Sequence, residues 1–377
     1  MSLKGIKVVE MMGLAPGPFC GAILADFGAT VTVVQKLEPA FVDVMSNGKR
    51  VISINLKSKS GIEIVKKMCS TSDVLLDTYR PGVMEKLGLG PKTMLQENSR
   101  LIYARLSGYG QDGHYKSKAG HDINYIAMSG VLHMLRKNDD IPTPVNFAAD
   151  FAGGSVLCAL GIILALYERT QSNLGQVIDA SMTEGAAYVA SWFFRSRNSF
   201  IWPDKPGKNM LDGGAPFYGS YLTKDGKFMA VGALEPQFYL RLLKGLQLPE
   251  EEYAQGENME YTRKKFIEVF LTKTQKEWCK IFENLDACVT PVLDFQSVDQ
   301  HECHVSRNSF FRDDSNIVVP RPSPRLSRTP GKSCGQDRAP QLGQHTLEIL
   351  KELGYSKLEI DEFIKTGSVH AVLKSNL

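Results

Sequence analysis

Ile6-Lys7-Val8-Val9-Glu10 is a short apolar run, and the Gly/Pro loop Gly13-Leu14-Ala15-Pro16-Gly17-Pro18 follows it. Phe19 to Phe27 then places apolar residues at helical spacing, Gly28 stops the helix, and Thr30 to Val34 is β-branched. This reads as buried strand, glycine-terminated helix and second strand. Strands joined through a helix lie parallel, because a tight hairpin can only reverse the chain. The pattern recurs with a helix near Gly61 to Cys69 and strands at Val74-Leu75-Leu76 and Leu101 to Leu106. Alternation over the first ~180 residues predicts an α/β fold built on an open, Rossmann-like parallel sheet.

The glycines exclude a dinucleotide site. Gly13, Gly17 and Gly21 are four apart, not spaced G-x-G-x-x-G, and Gln35 stands where a ribose-binding acid belongs. Pro16 and Pro18 also remove N–H donors that a pyrophosphate requires.

Further along, Phe151 to Thr170 reads as a helix too apolar for the surface, and Trp202 to Gly207 as a breaker cluster. Phe217 to Thr223 and Lys227 to Val231 form a hairpin around Asp225-Gly226. Helices are expected over Pro236 to Leu246, Arg263 to Glu283 and Gln344 to Leu353, with a linker at Pro320 to Pro324. The expected organisation is a large α/β domain over 1–200, a smaller α+β domain over 215–310, and a return segment over 311–377 that packs on the large domain.

Composition bounds the function. The chain has 377 residues, 44 basic against 41 acidic, and a formal charge of +3, so a nucleic-acid partner is not expected. Seven scattered cysteines without a C-x-x-C pair argue against a disulfide scaffold. His301-Glu302-Cys303-His304 lacks a second ligand pair, so no metal site is expected. The longest apolar stretch, Val156 to Tyr167, is shorter than the ~20 residues of a membrane span, and none is expected. The C-terminal Lys374-Ser375-Asn376-Leu377 is near the Ser-Lys-Leu peroxisomal address.

Three acid/base residues stand at predicted helix starts. His121, in Gly120-His121-Asp122-Ile123-Asn124-Tyr125, falls just past a strand end, where α/β folds hold ligands. Asp150 opens the apolar helix, with Gly153-Gly154 in its first turn permitting close approach of a backbone or ligand. Glu235 precedes the Pro236 helix. The same residue types serve as helix caps, and the local pattern leaves both roles open. There is no G-x-S-x-G elbow for acyl-enzyme hydrolysis. A His and an Asp on opposite faces of a carbon beside a carbonyl could remove and return a proton through an enolate. The Asp122 amide, at the open helix start, is the best donor to the enolate oxygen.

The whole chain resembles the family III CoA-transferase superfamily, and within it the racemase branch. The resemblance rests on Gly13 to Cys20, Leu24 to Ala29, Tyr79-Arg80-Pro81-Gly82-Val83, Leu101 to Gly108, Gly120 to Tyr125, Asp150 to Gly154, Gly213 to Tyr218 and Asp286 to Val292. It implies an isomerase that epimerises 2-methyl-branched fatty acyl-CoA thioesters by 1,1-proton transfer, serving breakdown of branched fatty acids and bile-acid intermediates. It implies His121 and Asp150 as the acid/bases and Glu235 as support for His121. It implies coenzyme A contacts at Lys36, Ile54, Asn55, Leu56, Lys57, Arg80, Gly120, His121, Asp122, Ile123, Asn124 and Tyr125. Position 36 is an arginine in animal members, so Lys36 keeps the charge but loses the bidentate fork. No cofactor is implied, because coenzyme A is part of the substrate. Met210, Phe217 and Tyr218 could shape the acyl groove. An interlocked homodimer, location in peroxisomes and mitochondria, and a peroxisomal import receptor as partner are implied as well. Two rival readings remain open here: a CoA-transferase with Asp150 as nucleophile, and a non-catalytic acyl-CoA-binding protein.

Overall fold

The computed structural model describes residues 1–38, 43–137 and 139–372. They form two compact units, one of 1–131, 144–189 and 307–377, the other of 132–143 and 190–306. The second unit is thus inserted into the first.

The first unit is built on a seven-stranded sheet. Its parallel strands are β1 (Lys7–Met11), β2 (Thr30–Gln35), β3 (Arg50–Ile54), β4 (Val74–Asp77), β5 (Ile102–Ser107) and β6 (Val177–Ser181). The order is β3-β2-β1-β4-β5-β6, and a short strand, Val369–His370, joins β3 antiparallel at the edge. β1, β2, β4 and β5 are buried almost throughout, which is why they read as continuous apolar runs. Helices α1 (Pro16–Asp26) and α2 (Lys59–Ser70) follow β1 and β3. Ile64, Val65, Met68 and Cys69 of α2 pack with Met11, Ile52, Ile54 and Leu75 of the sheet in one core. The return segment contributes Ile349, Leu350 and Ile360 to that core, so the chain ends on the domain it began.

Several details depart from the sequence expectations. Asp150 does not start a helix. A π-helical run, Phe147–Val156, carries it and continues into the helix Leu157–Ser172. Nor is that helix wholly buried: Leu160, Ile163, Leu164 and Tyr167 are 46, 43, 59 and 67% exposed. Helical periodicity from Phe147 to Ser172 gives a run long and apolar enough, by length and composition alone, to cross a membrane, with half of it buried. It packs against β5 and β6 of its own unit. The return segment holds two helices, Thr346–Glu352 and Lys357–Lys365, where one was expected. The Lys374 to Leu377 tail lies outside the described residues.

The second unit has a three-stranded antiparallel sheet, Tyr218–Leu222, Phe228–Gly232 and Val289–Pro291. Its first hairpin turns at Gly226, whose φ is +75°, a left-handed conformation suited to glycine. Helix Pro236–Leu246 has the expected bounds. The long helix expected over Arg263 to Glu283 is two, Met259–Phe270 and Gln275–Phe282. Thr274 accepts the Glu277 amide while Glu277 bonds back to Thr274, a capping box that starts a new helix. Tyr221, Phe266, Phe270 and Trp278 fill this unit's core.

Candidate active site

The strand order reverses between β1 and β4, and in open α/β sheets the crevice beyond the carboxyl ends at such a switch point is where ligands bind. There the first unit opens a cleft of about 430 Å³. Leu14, Pro16 and Gly17 come from the loop after β1, Thr78 to Pro81 from the loop after β4, and Leu106 to Tyr109 from the end of β5. His121, Asn124, Tyr125 and Asp150 line it too, with Lys116, Lys118 and Met182.

The glycines of the first loop and helix have a different task from phosphate binding. A Cβ at Gly13 or Gly17 would lie 2.3 Å from Thr78, and one at Gly21 would lie 1.8 Å from Glu10. They let α1 press onto the sheet while Thr78 donates to the Met11 carbonyl at 2.9 Å. Beneath the β4 loop, Asp77 accepts the Tyr79 amide at 2.9 Å and Arg105 Nε at 3.2 Å, and Arg105 also grips Glu85. Burial pushes the Asp77 carboxyl up to about 6, against the pull of the Tyr79 amide and Arg105. This network shapes the loop that presents Arg80.

His121 sits at the N-cap of the helix Asp122–Met128 and is exposed. Its backbone N–H donates to Asn124 Oδ1 at 3.1 Å, and the Asn124 amide donates to the His121 carbonyl at 2.8 Å, which closes the first turn. Tyr125 donates its hydroxyl to the Gly120 carbonyl and packs edge-on against Tyr109 at 5.0 Å. A Cβ at Gly108 or Gly120 would meet the Tyr125 ring at 2.2 or 2.7 Å, which is why both positions are glycine. Burial, with the Asp150 charge adding, pushes the Tyr125 hydroxyl up to about 12.

Asp122 joins the two acid/base residues. It is 4% exposed, and its Oδ1 accepts the amides of Ala149 at 2.9 Å and Asp150 at 2.8 Å. The residue after His121 thereby holds the backbone of Asp150. Sequence reasoning assigned Asp122 an amide donor and a coenzyme A contact and missed this positioning role, which no local pattern across 27 residues announces. Asp150 lies within the π-helical run, a conformation found mostly as short bulges at functional sites. Gly153 makes the packing possible: its Cβ would lie 2.4 Å from the Ala186 amide, so the close approach is by a helix, Met182–Val189, and not by a ligand. Burial raises the Asp150 carboxyl above its usual range; the Asn146 side-chain bond opposes, Asp122 adds, and His121 opposes.

The remaining candidates sit elsewhere. Lys36 and Lys57 are exposed at the carboxyl ends of β2 and β3, with Ile54, Asn55 and Leu56 beside them, and none lines the cleft. The Ile54 side chain is core, and the Asn55 side chain is spent on the Gly367 carbonyl and the Lys57 amide. Ile123 is 42% exposed. Glu235, in the second unit, is the exposed N-cap of helix Pro236–Leu246, yet its side chain makes no capping bond. Its carboxylate is therefore not consumed by the role that position suggests. Among the described residues no cluster of three or more His, Cys, Asp or Glu is arranged to hold a metal ion.

The crevice at the switch point thus carries an exposed histidine and an aspartate whose carboxyl burial raises. The chain belongs to CoA-transferase family III, whose model matches residues 3–346. It is 50% identical over 382 aligned residues to α-methylacyl-CoA racemase of Mus musculus, covering all of both chains. It is 49% identical over 383 to the Homo sapiens enzyme of that name, covering 99% of this chain and all of the relative. Among solved structures, a CAIB/BAIF family protein from Brucella suis superposes with a TM-score of 0.78 at 23% identity, over 93% of this chain and 99% of its own.

Proposed function

We propose that the chain is an isomerase that epimerises 2-methyl-branched acyl-CoA thioesters, as the names of its half-identical relatives say of them. The observation that carries the mechanism is the placement of His121 and Asp150 on one cleft, with Asp122 tying the Asp150 backbone to the His121 helix. One of the pair removes the α-proton and the other delivers a proton to the opposite face. The thioester carbonyl takes up the charge as an enolate, and the Asp122 amide is the candidate donor to that oxygen. A carboxyl held above its usual range serves both directions, since it must be base in one and acid in the other. A proton leaves and a proton returns, so no oxidant or reductant enters the balance.

The coenzyme A moiety is read onto Arg80 at the cleft and onto the cationic Lys36 and Lys57 at the adjoining strand ends. A homodimer is supported by the apolar stripe of Val156, Leu160, Ile163, Leu164 and Tyr167, which is larger than scattered surface hydrophobes require. In that dimer the second unit of one subunit supplies Glu235 to the His121 of the other. Metabolism of branched fatty acids and bile-acid intermediates follows from the substrate class. Residence in peroxisomes and mitochondria rests on the family and on the Ser375-Asn376-Leu377 tail, which an import receptor reads. Deleting those three residues lowers the peroxisomal fraction and leaves turnover in vitro unchanged; an unchanged fraction rejects the tail.

The test is incubation with a (2R)-2-methylacyl-CoA in deuterated water. Epimerisation with α-deuterium is expected. Transfer of coenzyme A to an added carboxylate without exchange would make Asp150 a transferase nucleophile, and binding with neither outcome would leave a non-catalytic module.

A further inference from the structure

Far along the chain, the first unit opens a second cleft of about 260 Å³, lined by Arg307, Asn308, Arg321, Arg325, Lys332 and Ser333 among others. In a chain with a formal charge of only +3, this is a marked concentration of positive charge. None of the four cations has a carboxylate partner among the described residues. Asp26, which accepts the Lys332 amide on its backbone carbonyl and the Cys334 amide on Oδ1, does not line the cleft.

Two of the arginines are held in place. Asn308 adopts a left-handed backbone, φ +49°, and serves both. Its Oδ1 accepts Arg321 Nε at 3.3 Å, and its carbonyl accepts Arg325 Nη2 at 3.2 Å. Arg325 Nη2 also donates to the Arg307 carbonyl, and the Arg321 guanidinium stacks over Phe311 at 5.3 Å. These bonds use neutral acceptors and leave the charge uncompensated. Nη1 and Nη2 of Arg321, and Nε and Nη1 of Arg325, have no acceptor among the described residues. Ser333, 7% exposed, accepts the Gly335 amide and donates its hydroxyl to nothing described.

A surface that needed positive charge only for solubility would not fix its forks. Preorganised guanidinium donors around a small concavity match the oxygens of a phosphoryl group, which arginine binds bidentately. The cleft is below the size that drug-like organic ligands fill. We propose that this cleft binds a phosphoryl group, free or carried on a small molecule, at a site separate from the one holding His121 and Asp150.

Calorimetric titration of the full chain with inorganic pyrophosphate tests this. Saturable binding is expected, at least tenfold weaker in R321A/R325A and unchanged in R80A, with racemisation intact in the double variant. R321K/R325K keeps the charge but loses the forks and should fall between wild type and the alanine variant. If R321A/R325A does not fold, R307A/K332A replaces it with the same expected loss. Adenosine 3′,5′-bisphosphate separates the sources: tenfold tighter binding with the same arginine dependence indicates a carried phosphoryl group, and equal binding indicates the free anion. Affinity unaffected by the arginine variants, affinity lost in R80A, or equally strong binding of acetate overturns the proposal.

Discussion

Replacing Asp122 separates positioning from chemistry at the acid/base pair. In Asp122→Ala, the buried amides of Ala149 and Asp150 lose their only described acceptor. Each buried donor left unsatisfied costs about 1–3 kcal/mol, so the loss is about 4 kcal/mol in all. The π-helical run then has nothing fixing its first turns to the His121 helix. A displacement of about 1 Å in a catalytic group costs on the order of 10²-fold in rate, and kcat should fall by that much. Asp122→Asn keeps an acceptor for both amides and removes the charge, so it should lose less stability, about 2 kcal/mol. It also removes one cause of the raised Asp150 carboxyl, so Asp150 titrates lower, and the limb of the pH–rate profile belonging to it moves to lower pH. Urea unfolding and pH-dependent epimerisation read both effects. A wild-type midpoint and wild-type kcat in Asp122→Ala, or a limb that moves to higher pH in Asp122→Asn, would refute the reasoning.

Gly153→Ala puts a methyl 2.4 Å from the Ala186 amide and should cost about 1–3 kcal/mol, read as a lowered melting temperature. Lys49→Met strips the fully buried Glu10 of its 2.8 Å ion-pair partner, at a cost of about 3–5 kcal/mol in denaturant titration. Glu10 already titrates near 7 when folded against 4.5 otherwise, so its contribution is lost as pH rises through that window; without Lys49 the loss deepens, and the variant should be weaker at pH 8 than at pH 5. Mixing inactive Glu235→Gln and Asp150→Ala chains should restore activity in mixed dimers, to about half of the sites by two-fold symmetry, whereas no recovery after demonstrated subunit exchange places all three residues in one chain.

The sheet was legible where strands are buried on both faces. β1, β2 and β4 each hold Val or Leu in succession, and Gly28 at φ +106° ends α1 as its position suggests. β3 and β6 were not read. β6 is half-exposed at the sheet's edge, and β3 follows a polar stretch that reads as loop. The two-helix break at Leu271 to Thr274 had a signal, the Thr274–Glu277 capping box, masked by apolar periodicity that continues across it. His121 was singled out by its place beyond a strand end, and Asp150 by an expected helix start that the structure replaces with a π-helical run beginning at Phe147. The bond that brings them together could not be read, because Asp122 has the same local signature as a cap. Nothing in the sequence singles out Lys49, and only the fold reveals it buried against Glu10 and the Pro18 carbonyl.

The strand order of this unit is one that elsewhere serves dinucleotides, so the chemistry here has to follow from what fills the switch point. A phosphate-binding turn needs glycines that bare their amides toward a ligand. Here Gly17 and Gly21 are occupied from inside, by Thr78 and Glu10, and the prolines between Gly13 and Phe19 remove donors a pyrophosphate would use. The crevice is left with few backbone donors in that loop and is lined instead by residues of later segments, from Thr78 to Met182. Among them, the backbone at 150 is held by the buried carboxylate of Asp122, the residue after His121. Proton traffic at a carbon suits such a wall better than an anhydride of phosphate does. On the proposed function, the same sheet order carries an acyl thioester to His121 and Asp150, because the glycines that would have met a nucleotide are spent on packing the first helix.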